Sequence, residues 1–172
     1  MELGKLKTKP SQAAISDHLL GTPEKTVTVK DLTSDYRLID TPEKFADFLK
    51  QLKKQNIFAI DTETTSTDAM KADLVGMSFS WKKHQAFYIP VKAPLGQKFI
   101  PIETIKQEIG PVRSDETIKK IGQNLKYDIN ILTMAGLPVK GVYFDTMIAS
   151  YCLTPEKRNH SMNAMARDYL AY

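Results

Sequence analysis

Two acids two residues apart, Asp61 and Glu63, close the run Ile57-Phe58-Ala59-Ile60-Asp61-Thr62-Glu63-Thr64. Side chains alternate along an extended chain, so both carboxylates project to the same side. Paired carboxylates at the end of an apolar strand repel each other and are costly to desolvate without a counter-charge. A divalent cation such as Mg²⁺ or Mn²⁺ is the simplest counter-charge, because these ions prefer carboxylate oxygen. The triplet by itself equally describes a strand that has ended in two solvated acids. Asp128 is a candidate third acid. At 3.6 residues per turn it borders the apolar stripe Leu125, Ile129 and Leu132, so it can either face the first two acids or pair with Lys126 or Lys140. Asp145 is a fourth, but its place before Thr146 is explained by capping a helix.

The elements that must position these acids follow from local pattern. The apolar run 57–60 reads as a strand buried on both faces. Before it, Thr41-Pro42-Glu43 is a helix start, and Phe45, Phe48, Leu49 and Leu52 share one face of a helix over 42–54. After it, 74–81 and 85–90 form a hairpin with His84 in the turn and Trp81 as a core or cross-strand aromatic. A short helix is predicted over 101–108, a strand over 117–121 ending at Gly122, and a helix over 124–135 capped by Gly136. A helix over 147–153 follows, and then a last amphipathic helix marked by Met162, Met165, Ala166 and Tyr169. Thr26 to Val29 could make a short strand inside residues 1–33, which otherwise read as a linker.

With 172 residues, 42% of them hydrophobic and 26% charged, the chain has the composition of one soluble globular domain. No apolar run approaches the ~20 residues that span a bilayer, and no signal-peptide core is present, so no membrane partner is expected. The single Cys152 cannot close an internal disulfide and fits a reducing cytoplasm. A net charge of +4 permits a polyanionic partner without requiring one.

Three pieces in order are more specific. Phe58-Ala59-Ile60-Asp61-Thr62-Glu63-Thr64, Gly122-Gln123-Asn124-Leu125-Lys126-Tyr127-Asp128 and Phe144-Asp145-Thr146-Met147 resemble the proofreading 3′–5′ exonuclease domain of bacterial DNA polymerase I. Leu74-Val75-Gly76-Met77-Ser78-Phe79 and Ala86-Phe87-Tyr88-Ile89-Pro90-Val91 match that family's hairpin. The related ribonuclease D and Werner-type exonucleases share the Asp-x-Glu idea but generally lack the Gly-Gln-Asn-Leu-Lys-Tyr-Asp string.

The resemblance implies an α/β fold of the ribonuclease H-like kind, a central mixed β-sheet flanked by helices. It places the exonuclease domain at 34–172, truncated before its last motif. It implies hydrolysis of the 3′-terminal phosphodiester of single-stranded DNA with two divalent metal ions, Mg²⁺ or Mn²⁺. Asp61 would bridge both ions, Glu63 would bind one, and Asp128 would hold the second through water. Thr62, Thr64, Thr67, Gln123, Asn124 and Tyr127 would contact the terminal nucleotide, with His160 and Met162 bordering the strand path. The remaining polymerase domain of a parent chain would be a partner. The chain departs from the family at Thr67, where a Leu is common, and at Asn163, where an Asp is usual. The family's final Tyr-x-x-x-Asp motif would lie beyond Tyr172, so this piece is expected to be weak alone. Alternatives are a non-catalytic scaffold or DNA-binding module of a polymerase and a ribonuclease D-like RNA exonuclease.

Overall fold

A computed structural model describes residues 34–170. The expected linker over 1–33, with its short strand at Thr26 to Val29, lies outside the described residues. Six strands form one sheet in the order β1-β4-β3-β2-β5-β6: β1 (Asp35–Leu38), β2 (Ile57–Thr64), β3 (Leu74–Lys82), β4 (Gln85–Pro90), β5 (Lys119–Gly122) and β6 (Val142–Asp145). Only β3 runs against its neighbours; β1 is parallel to β4, and β5 is parallel to both β2 and β6. The helices are α1 (Pro42–Leu52), α2 (Ile102–Ser114), α3 (Leu125–Met134), α4 (Thr146–Leu153) and α5 (Met162–Leu170). The α/β class with a central mixed sheet is therefore observed.

One face of the sheet is dry. Thr41 caps α1 by accepting from the Lys44 N–H, and Phe45, Phe48, Leu49 and Leu52 are buried, as their spacing predicts. Phe48 sits at the centre, with ring centroids 5.2 Å from Phe79, 5.5 Å from Phe87 and 5.8 Å from Trp81. Trp81 stacks on Phe87 across the hairpin at 4.3 Å, in the cross-strand position expected of it. The turn between β3 and β4 carries exposed His84 at φ +62°.

The structure corrects several boundaries. The start of β2 is not buried on both faces: Phe58 and Ile60 are 1% and 4% exposed, but Ile57 is 42% exposed. Phe58 and Ile60 share the buried side of the strand, and Ile57 points to the other. Strand β1 has no counterpart in the sequence reading, because all four of its residues are exposed and carry no burial alternation. Helix α2 runs six residues past the expected end at Glu108. Pro111 lacks a donor, but Ile105, Ile109 and Val112 bury one continuous stripe, and that burial outweighs one lost backbone bond. In α5 the buried residue is Ala164, while Met162 and Tyr169 are 55% and 45% exposed.

Candidate active site

The acids meet where the sheet runs out of partners. Strand β5 pairs with β2 only as far as Ala59. Strand β5 ends at Gly122, and the chain turns away through Gln123 and Asn124. A Cβ at Gly122 would meet the Ile60 carbonyl at 2.9 Å and the Leu125 side chain at 2.5 Å, so only glycine lets α3 begin this close to β2. Past Ala59, the vacated edge of β2 is taken over by a side chain of α3. The Thr62 N–H donates to Asp128 Oδ1 at 2.9 Å, and the Thr62 hydroxyl donates to the same oxygen at 2.6 Å. Asp128 is 3% exposed and forms no ion pair; Lys140 pairs instead with Glu116 at 2.9 Å. The alternative pairing of Asp128 with Lys126 or Lys140 is thus not found.

Asp61 and Glu63 lie on the side of β2 opposite Phe58, Ile60 and Thr62, as strand alternation requires. Asp61 is half-buried and Glu63 exposed. Burial, the charge of Asp128 and the charge of Glu63 push the Asp61 carboxyl up to about 6. Burial also raises Asp128, against the lowering effect of its two Thr62 bonds and with a further push from Asp145. Asp61 therefore feels both Asp128 and Glu63, and none of the ion pairs among the described residues involves any of the three. This is the electrostatic signature of carboxylates assembled without a counter-charge. Among the described residues, no three such side chains already close to the spacing of an ion's ligands.

Beside the acids lies an open cleft of about 470 Å³ lined by Thr64, Thr65, Ser66, Thr67, Asn124 and Tyr127. The Tyr127 hydroxyl donates to the Ser66 carbonyl and shares a 2.6 Å hydrogen bond with Thr64 Oγ1. It pins the loop after β2 to α3, and this bridge between Thr64 and Tyr127 forms the cleft's wall. Asn124 holds a left-handed backbone (φ 57°) and leaves its side chain exposed at the rim.

Other expected contacts turn inward. The Gln123 amide donates to the His160 carbonyl at 2.9 Å and accepts from the Thr146 hydroxyl. His160 is 4% exposed, bonded through Nδ1 to Ser150 Oγ at 2.8 Å and through Nε2 to the Lys157 carbonyl at 3.1 Å, and it stacks on Tyr151. Both residues brace the start of α3 against α4; neither presents its polar atoms to the cleft. Met162 is exposed and does not line it.

Asp145 is the hinge of that bracing. One carboxylate accepts from the backbone N–H of Asn124 (3.1 Å) and Leu125 (2.7 Å), and from those of Met147 (2.8 Å) and Ile148 (3.3 Å). It caps its own helix, as expected, and that of α3 as well. The second role is invisible in sequence, since the two stretches are about twenty residues apart.

The 3′–5′ exonuclease family model matches residues 36–172. The chain belongs to the 3′–5′ exonuclease family. This exonuclease domain is 35% identical to the DNA polymerase I of Pseudomonas aeruginosa over 146 residues, 80% of the chain but only 16% of that relative. The chain thus spans about a sixth of that relative's length. Among solved structures, Trypanosoma brucei RNase D superposes with a TM-score of 0.67 at 18% identity, covering 82% of this chain and 49% of that one. Brucella melitensis NrnC with bound Mg²⁺ gives a TM-score of 0.61 at 23% identity over 82% and 63%. At these identities the likeness is one of fold. Among the described residues, no helix is long and apolar enough to cross a membrane.

Proposed function

We propose that this exonuclease domain hydrolyses the 3′-terminal phosphodiester of single-stranded DNA, releasing nucleoside monophosphates, as the proofreading part of a DNA polymerase I. The observation that carries the reading is the uncompensated acid group at the end of β2, with Asp61 raised to about 6. That donor set fits divalent cations: Asp61 and Glu63 would hold them, with Asp128 alongside. Mg²⁺ or Mn²⁺ supplies Lewis-acid activation of water and neutralisation of the scissile phosphate there.

The chain's own residues do the rest. Thr62 fixes Asp128 through two bonds to one oxygen, which leaves Oδ2 free of both. The hydroxyls of Thr64, Ser66 and Thr67 and the amide of Asn124 line a cleft sized for a terminal nucleotide. In this reading the strand is held by backbone contacts and stacking with little sequence preference. Within this reading the cell compartment is the cytoplasm and the partner domain is a polymerase.

The test is Mn²⁺-dependent release of monophosphates from a single-stranded DNA oligonucleotide, by this chain and by the longer protein that contains it. Asp61→Ala should lower the rate of the longer protein by about 10³-fold or more, as loss of a main electrostatic group does. An unchanged rate would overturn the proposal. A second reading, a scaffold that no longer cuts, draws on the acids' not yet standing at ligating distance. DNA binding with no Asp61-dependent Mn²⁺ binding in calorimetry would favour it. Better competition by RNA than by DNA would shift the substrate towards RNA.

A further inference from the structure

The open face of the sheet carries one more polar group aimed at the acids. Glu63 is the cross-strand partner of Gly76 and Asp61 that of Ser78. Ser78 in turn pairs with Tyr88 on β4. Paired residues share a face, so Tyr88 stands on the same side as both acids, two strands away. Its ring lies along β3 over Gly76, where an added Cβ would overlap the hydroxyl and the adjoining ring atoms. The phenol oxygen therefore occupies the place of the side chain that would directly face Glu63. Opposed Cβ atoms in an antiparallel pair are roughly 4.5–5.5 Å apart. The structure does not form that bond; a glutamate carboxylate swings on two bonds beyond its Cβ, so a rotation of the Glu63 side chain would carry its oxygens to the roughly 2.5–3.0 Å of an O–H···O bond. Burial and the charge of Glu63 both raise the Tyr88 phenol, so the two groups feel each other.

We propose that Tyr88 is a positioning residue for Glu63: its hydroxyl donates to the Glu63 carboxylate and orients it, and Gly76 stays bare so that the ring can cross β3. This rests on reading Asp61 and Glu63 as cation-holding acids. Nothing in the local sequence marks the role, because Ala86-Phe87-Tyr88-Ile89 reads as ordinary strand.

The test is Mn²⁺ binding to the full chain by calorimetry, with Tyr88→Phe, Glu63→Gln and the double variant. Tyr88→Phe should weaken Mn²⁺ about tenfold, as loss of a partner to a metal-holding carboxylate does. Its circular dichroism should be unchanged. In the Glu63→Gln background the same substitution should have no further effect. Mg²⁺, which is itself colourless, should perturb a tyrosine absorption band in the wild type and not in Tyr88→Phe. Gly76→Ala, which pushes the ring aside, should copy Tyr88→Phe. Asp61-dependent Mn²⁺ binding that ignores Tyr88→Phe would overturn this proposal alone, as would equal weakening in both backgrounds. Absence of Asp61-dependent Mn²⁺ binding in the wild type would remove it together with the proposed function.

Discussion

The two faces of the sheet are built on different physics. On the covered face, Phe48, Phe58, Phe79 and Phe87 are each 1% exposed and interlock with Ile60, Met77 and Ile89 beneath α1 and α2. On the open face, the register sets Asp61 and Glu63 beside Ser78 and Tyr88, and Leu38 and Tyr36 beyond them are 49% and 71% exposed. Burial is non-directional, so the covered face can supply stability without fixing any one atom. Acids that must hold a small charged ligand need direction, which hydrogen bonds supply at a smaller net gain each. The free edge of β2 joins the two, where Thr62 and Asp128 are buried yet directional.

The sharpest way to break the contrast is to cut into the covered face. Phe48→Ala removes the ring that touches three other aromatic rings closely, and should destabilise the chain by about 3–5 kcal/mol. Urea unfolding followed by circular dichroism measures it. In the fraction that stays folded, Asp61-dependent Mn²⁺ affinity should be unchanged. A lost affinity in that folded fraction would mean the faces are not separable.

Asp145→Asn probes the other kind of support. Asparagine has one acceptor oxygen where aspartate has two, and it carries no charge for the four N–H groups at the starts of α3 and α4. The expected cost is about 2–3 kcal/mol, on the scale of lost bonds to a charged group. Unlike Phe48→Ala, it should also weaken Mn²⁺ binding, because α3 carries Asp128 to the edge of β2. Equal loss of stability with unchanged Mn²⁺ affinity would show that α3 is placed by packing alone.

The covered face was legible in the sequence, and the reason is periodicity. Phe45, Phe48, Leu49 and Leu52 announce a helical face, and the hairpin announces itself by alternation between two polar turns. The acids of β2 were legible by type and spacing. What could not be read depends on contacts between distant segments. Asp145 reaching Asn124 and Leu125, Gln123 folding onto the His160 carbonyl, and Tyr88 crossing Gly76 are all set by which strand lies beside which. His160 was expected at the strand path only because the family resemblance implied it, and a polar aromatic residue in a loop carries no local mark of burial to say otherwise. The structure instead engages both of its ring nitrogens inside the chain.

The gentlest test uses pH on the open face. In the cation-free protein, the Asp61 carboxyl titrates near 6, above the 3.8 of an unperturbed aspartate. The native state therefore holds this proton more tightly than the unfolded chain does. The resulting stabilisation is complete below about pH 4, falls as pH rises through 6, and is flat above. After allowing for the partial exposure of Asp61, the change is on the order of 1–2 kcal/mol. Asp61→Asn cannot ionise, so with a chelator present its urea midpoint should exceed that of the wild type at pH 7.5 and match it near pH 4. Added Mn²⁺ should reverse the order at pH 7.5, because binding to the native state stabilises only the wild type. A midpoint difference that does not change with pH would mean Asp61 feels neither burial nor the charges of Asp128 and Glu63, and the contrast between a dry face and a charged one would lose its electrostatic half.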